Sequence, residues 1–243
     1  MASEIDFRHV ERRSPVGTVL SCNFNNGGVK DNSSINAAAT LYNGASITSN
    51  YLSVPNPPPP DGVNAYAEFP DRNEYTFSDG SSDFPFSVSS RFFLTTLPPS
   101  GERAILAAKR PFGSTVWEWD IWSHFSSTSG PAFFVRNSTA SSALAAFVAA
   151  PLSVSTWYHL VATYDGSKNG SGLKIYLNGA LSATGSSSYS GMSNTSGPIF
   201  LGDSRTSAYG HPMNGRIDNI YIFSRNLSGA EVLDLYSNQA TNL

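Results

Sequence analysis

Thr156–Gly179, TWYHLVATYDGSKNGSGLKIYLNG, is the stretch whose reading decides the fold. Tyr158, Leu160, Ala162 and Tyr164 alternate with Trp157, His159, Val161 and Thr163, and Leu173, Ile175 and Leu177 alternate with Lys174, Tyr176 and Asn178. Period-2 alternation rich in β-branched and aromatic residues predicts two strands, each with one buried face. Between them Asp165–Gly172 holds only Asp, Gly, Ser, Lys and Asn, residues that tolerate turn geometry and stay hydrated. Asn178-Gly179 at the far end suits the positive φ angles of a tight hairpin turn.

Outward from this hairpin, the run Trp157–Gly166 followed by Leu173–Gly179 resembles the central hairpin of laminin-G-like domains of the concanavalin A-like lectin/glucanase superfamily. Gly215–Val232, GRIDNIYIFSRNLSGAEV, resembles the closing strand and short helix of the same domains, and Ile199–Gly202 fits another of their strands. The resemblance spans Ser14 to Ser237. It implies an all-β, two-sheet antiparallel jelly-roll sandwich with one short C-terminal helix. The superfamily includes sugar binders, protein binders and hydrolases, so function has to be sought in the residues.

The chain has 243 residues, and an all-β sandwich of this size is commonly a single domain. With no linker-like break visible, residues 16–243 are expected to form the jelly roll. Residues 1–15 are either a frayed terminus or an arm that docks on a partner. Charged residues make up only 14% and the formal net charge is −3, which gives no general attraction to phosphate backbones or anionic membranes. Nucleic acid is therefore not expected as a partner. The single Cys22 has no partner for an internal disulfide. No apolar run is long enough to span a bilayer, and MASEIDFRHVERR lacks the apolar core of a secretory signal. A surface or virion protein released without that signal is one reading of the combination.

Further strands are expected at Val19–Phe24, Tyr66–Phe69, Phe84–Leu94, Arg103–Lys109, Val116–His124, Pro131–Arg136 and Ala143–Ala150. Asp31-Asn32-Ser33-Ser34 reads as a polar loop, where the resemblance implies an aspartate–serine turn. PNPPPP at Pro55–Pro60 reads as a rigid surface crossing. Ser182–Ser196 is nearly free of large apolar residues and is expected to be a mobile loop. Gly229–Ser237 is expected to be helical with Val232, Leu233 and Tyr236 inward, and Ser228 with Glu231 forms a capping-box pattern.

Candidate ligand-binding residues lie in Trp117–His124, WEWDIWSH. Alternation puts Trp117, Trp119 and Ile121 on the core face and Glu118, Asp120, Trp122 and His124 on the opposite sheet surface. Laminarinase-type hydrolases of the resembled superfamily carry Glu-x-Asp-x-Glu on such a strand. Here Glu118 and Asp120 match the first two positions and Trp122 stands at the third, where an indole cannot serve as acid or base. What is left is either sugar-binding chemistry, an indole for stacking with carboxylates to accept from hydroxyls, or a polar face with no ligand.

Asp218 shares a face with Ile220 and Ile222 by alternation, which points its carboxylate inward, where it must be paired, hydrogen-bonded or metal-bound. The resemblance implies one structural Ca2+ there, with Asn23 or Asn25 as a further ligand. An aspartate bonded to backbone amides is the competing reading. These observations point to a non-catalytic recognition or adhesion module, displayed on a virion or cell surface and binding glycan or a surface protein. The N-terminal arm would dock on a scaffold. The alternatives are a structural decoration protein without a sugar site and, third, a glycoside hydrolase.

Overall fold

The computed structural model describes residues 17–24, 31–56, 63–126, 129–137, 143–204 and 210–240. In chain order the strands begin with β1 (Thr18–Cys22), β2 (Thr40–Tyr42), β3 (Ser46–Thr48), β4 (Tyr51–Val54) and β5 (Tyr66–Phe69). They continue with β6 (Phe86–Leu94), β7 (Ala104–Lys109), β8 (Trp119–His124), β9 (Ala132–Arg136) and β10 (Ala143–Phe147). The last five are β11 (Trp157–Tyr164), β12 (Leu173–Leu177), β13 (Ala180–Thr184), β14 (Ile199–Leu201) and β15 (Gly215–Phe223), followed by helix α1 (Gly229–Ala240).

Two antiparallel sheets form a sandwich. One runs β13-β12-β11-β6-β15-β4-β3, with β1 also on β15; the other runs β10-β9-β8-β7-β14-β5-β2. The nine-residue strands β6 and β15 form the spine of the eight-stranded sheet. One edge of β15 is shared, β4 pairing along Gly215–Ile217 and β1 along Ile220–Phe223. Leu52, Val88, Phe92, Leu160, Ile175, Ile217 and Ile222 of this sheet share one buried cluster with Phe69, Leu106, Trp119, Ile121, Phe133 and Leu201 of the other. Burial of these faces is the dominant stabilising term, because Cys22, the single cysteine, is free.

The hairpin read first is present as β11 and β12, with Leu160 opposite Leu177 and Tyr164 opposite Leu173. Asn178 (φ 50°) and Gly179 (φ 81°) turn β12 into β13, the two positive φ angles of a type I′ turn. Asp31 accepts from the backbone N–H groups of Ser21 and Ser33, both at 2.8 Å, and from Ser33 Oγ. The expected aspartate–serine turn is thus there. At α1, Ser228 N–H donates to Glu231 and Glu231 N–H to Ser228 Oγ, a closed capping box.

Four expectations need correction. The strand expected from Val116 starts only at Trp119, and Trp117 joins the outer face of the seven-stranded sheet rather than the core. The expected strand Ala143–Ala150 stops at Phe147. On α1, Val232 is buried but Leu233 is 52% exposed, because Tyr176, Val161, Phe223 and Leu227 use only one narrow stripe of the helix. Ser182–Ser196 is not an unattached loop. Its start belongs to β13, Met192 and Ser193 are buried, and Asp83 holds Tyr189 through the hydroxyl and Met192 through N–H at 2.8 Å. Residues 1–15, the expected docking arm, lie outside the described residues.

Candidate functional site

The Glu118 and Asp120 carboxylates do not face solvent. Glu118, Asp120, Trp122 and His124 are all buried. Glu118 Oε1 accepts from Lys109 Nζ at 3.0 Å, from Thr195 N–H at 2.9 Å and from Thr195 Oγ1 at 2.7 Å. Lys109 also donates to Asp71 and to the Gly197 carbonyl. Burial raises the Glu118 pKa above the ordinary carboxylate value, with Lys109 opposing. Both groups of this pair are fully enclosed, so their work is to fasten the Thr195–Gly197 segment to the end of β7.

Asp120 does point to the outer face, as alternation predicts, but it is consumed there. Arg136 grips it through Nε and, at 3.0 Å, through Nη2, and the Trp122 indole N–H donates to the same carboxylate. A carboxylate held by three donors and closed from water is not presented to a sugar hydroxyl. Trp122 sits in a satellite cluster with Ile105, Ala108, Ala132 and Phe134, outside the main core. Trp117 stacks near it at 6.2 Å, His211 at 5.0 Å, and Arg103 lies over it at 5.6 Å. His124 is enclosed with Nδ1 unpartnered, and burial lowers its pKa. The four residues are therefore neighbours in the fold but not a binding surface, and the two carboxylates do not flank an open cleft.

The expected inward Asp218 is also corrected. Register slips between Ile217 and Asn219 where β15 pairs with β6, and this bulge re-aims the side chain. Ile217 and Ile220 stay in the core, while Asp218 turns out and pairs with Arg91 at 2.7 Å. Asn23 accepts from the Asn32 amide at 3.3 Å, and Asn25 lies outside the described residues. The Asp218 carboxylate is thus paired with a cation on the outer face and not aimed inward as expected. No group of three His, Cys, Asp or Glu suited to a metal occurs among the described residues.

An accessible constellation lies instead on the outer face of the eight-stranded sheet. There α1 covers Val161, Tyr176 and Phe223 and leaves the other half of the face open. Trp157 is opposite Phe93, and Phe93 is opposite Arg216 on the next strand. Their side chains thus form one row across β11, β6 and β15. The rings of Trp157 and Phe93 are 5.5 Å apart, and Tyr51 of β4 closes edge-on to Trp157 at 6.2 Å. Arg216 is held 4.9 Å from both the Tyr51 and Phe93 ring centres, and Arg91 lies 4.6 Å over Trp157. Every member of this set is half-buried, with a flank in water. Beyond the same strand ends, a shallow cleft is lined by Asn56, Thr96, Leu97, Asn214 and neighbouring prolines.

A signal for this platform was present in the sequence. Tyr51, Phe93 and Trp157 are large aromatics at the outward positions of strands whose alternate residues are core. Arg91 precedes Phe93 by two positions, hence on the same face. The cross-strand neighbours that join them into one surface are set by pairing, which local alternation does not specify.

A laminin-G-like family model of the concanavalin A-like lectin/glucanases superfamily matches residues 61–233. No curated protein sequence matches the chain. Among solved structures, the binding domain of Paraclostridial Mosquitocidal Protein 1 superposes with a TM-score of 0.69 at 17% identity, covering 93% of this chain and 53% of that one. The binding domain of botulinum neurotoxin DC, solved with rat synaptotagmin II, gives 0.66 at 14% identity, covering 91% and 51%. The same toxin domain solved with SialylT gives 0.66 at 15%, covering 92% and 52%. The chain spans about half the length of these structures, and at such identities the likeness is one of fold. Sandwich topology, closing strand, capped helix and family match agree: the chain belongs to the concanavalin A-like lectin/glucanases superfamily, as a laminin-G-like domain.

Proposed function

We propose that the protein is a non-catalytic recognition module that binds glycan through the Tyr51, Phe93, Trp157 and Arg216 platform. The observation that carries this reading is a half-buried indole, Trp157, standing beside two further rings and two guanidinium groups on the part of the sheet face that α1 leaves uncovered. Sugar rings present C–H faces to such π surfaces, and guanidinium N–H groups donate to hydroxyl and ring oxygens. The neutralised state of Glu118 and Asp120, each closed from water and tied to a cation, supports a binding role over hydrolysis. Toxin binding domains of the same fold, solved with SialylT or with rat synaptotagmin II, support recognition of a surface glycan or protein.

Display on a virion or cell surface, docked through residues 1–15, belongs to the same proposal. Many copies would then raise a modest affinity per site by avidity. Among the described residues, no helix is long and apolar enough to cross a membrane. A glycan array with the wild-type chain and Trp157→Ala tests the reading. Retention of a defined glycan set that disappears in a Trp157→Ala protein that still melts cooperatively as a folded domain is the expected result. An empty array, or equal retention by both proteins, removes the glycan assignment.

A further inference from the structure

Two arginines border the platform, and their circumstances differ. Arg91 is neutralised by Asp218 at 2.7 Å. The Arg216 side chain makes no hydrogen bond or ion pair with any described residue; the contacts of its guanidinium are the Tyr51 and Phe93 rings. The guanidinium therefore holds its five N–H donors beside two aromatic rings, with none of them taken by a described residue. Asp218, the carboxylate two residues along the same strand, is already committed to Arg91, so the platform carries one uncompensated positive charge. The whole chain has a formal charge of −3, which makes this a local feature and not part of a general basic surface.

Resting on the reading of the platform as a glycan site, we infer that it selects acidic saccharides, with Arg216 receiving a carboxylate or sulfate group and Trp157 the adjoining sugar face. A planar fork of N–H donors matches a carboxylate or sulfate two oxygens at a time, a fit that a neutral hydroxyl does not provide. The rings on either side of Arg216 exclude water from its faces and strengthen the charge–charge attraction relative to an exposed arginine. The side chain is also held before the ligand arrives, so little rotamer entropy is lost on binding.

The test compares saccharides that differ by one acidic group: lactose with sialyllactose, and N-acetyllactosamine with its 6-sulfated form. Each is titrated calorimetrically into the wild type, Arg216→Gln, Trp157→Ala and Asp218→Asn, with thermal melts to establish that each variant is folded. At least one acidic member should bind the wild type roughly tenfold tighter than its neutral partner, the ratio that one charge-assisted contact of about 1.4 kcal/mol gives. Arg216→Gln should bring that acidic-to-neutral ratio to about one. Asp218→Asn frees Arg91 as a second cation and should widen the ratio. Equal binding of acidic and neutral members by the wild type overturns the inference but leaves the glycan site standing if Trp157→Ala still abolishes binding. A preference that survives in Arg216→Gln also overturns it. Absence of binding by every saccharide takes away both the inference and the glycan reading beneath it.

Discussion

Arg136 grips the Asp120 carboxylate with two of its guanidinium nitrogens, across the β8–β9 pair. Asp120 is fully enclosed, and the same carboxylate receives the Trp122 indole N–H. Arg136 also lies 4.2 Å over the Phe134 ring and 5.2 Å over Trp117. The aspartate is thus the hub that lets a tryptophan and an arginine pack on the outside of a sheet without an unpaired polar atom between them.

Removing that hub should destabilise the fold without touching the open platform on the other sheet. Asp120→Ala leaves Arg136 largely enclosed and uncompensated and takes the partner from the indole N–H. The expected cost is about 3 kcal/mol, read as a lower urea midpoint at unchanged slope. Saccharide affinity per folded molecule should match the wild type. A stable Asp120→Ala variant that had lost binding would return this strand to the ligand site.

Three histidines make stability depend on pH in the acid range, and His159 and His211 are the most strongly shifted. Burial, with the Arg91 charge second, pulls the His159 pKa down to about 4, and burial with Arg103 does the same for His211. Each folded pKa lies below the unfolded value near 6.5, so between those pH values the unfolded chain binds protons that the native one refuses. Stability therefore falls as pH drops from about 6.5 to about 4 and loses nothing further from these groups below that. For His159, enclosed between Ser89 and Tyr236, the loss approaches about 3 kcal/mol. Urea unfolding at pH 7, 5.5 and 4 checks this, and His159→Gln should flatten part of the slope.

Much of the fold was legible because its determinants are local. Alternation and the Asn178-Gly179 turn fix the β11–β13 meander, and the capping box at Ser228–Glu231 fixes the start of α1. The candidate site was not legible in the same way. Glu118 and Asp120 read as solvent-facing because alternation says only which side of a sheet a residue takes. What covers that side is supplied by Arg110, Arg136, His211 and the Thr195–Gly197 segment, all outside the strand itself. Asp218 was misplaced for a different reason: a one-residue bulge breaks the period that its neighbours obey. The Trp157 platform needed the β11–β6–β15 pairing before its members could be seen as neighbours.

Ser182–Ser196 looked unattached for want of apolar residues, yet Asp83 supplies a polar anchor. It accepts from the Tyr164 hydroxyl at 2.7 Å, from the Tyr189 hydroxyl and from Met192 N–H at 2.8 Å. Asp83→Ala strips three donors of their acceptor and should cost about 2–3 kcal/mol. Amide exchange should rise at Tyr189–Ser193 and stay low in β6 and β11. Uniform acceleration across the sandwich would mean that the segment is not held by this contact.

The sharpest contrast is between the two tryptophans at the centre of the two readings. Trp122 is 2% exposed beneath Trp117, Phe125 and His211, so truncating it opens a cavity that its neighbours cannot fill. Trp122→Ala should lower stability by about 3–5 kcal/mol and alter binding only through the folded fraction. Trp157 lies half-buried at the start of β11, against Arg91, Phe93 and Tyr51. Trp157→Ala should cost far less stability and abolish saccharide retention. Measuring both quantities on both variants separates a packing residue from a recognition residue. Reversal of the pattern, with binding lost in a well-folded Trp122→Ala, would move the site back to the seven-stranded sheet.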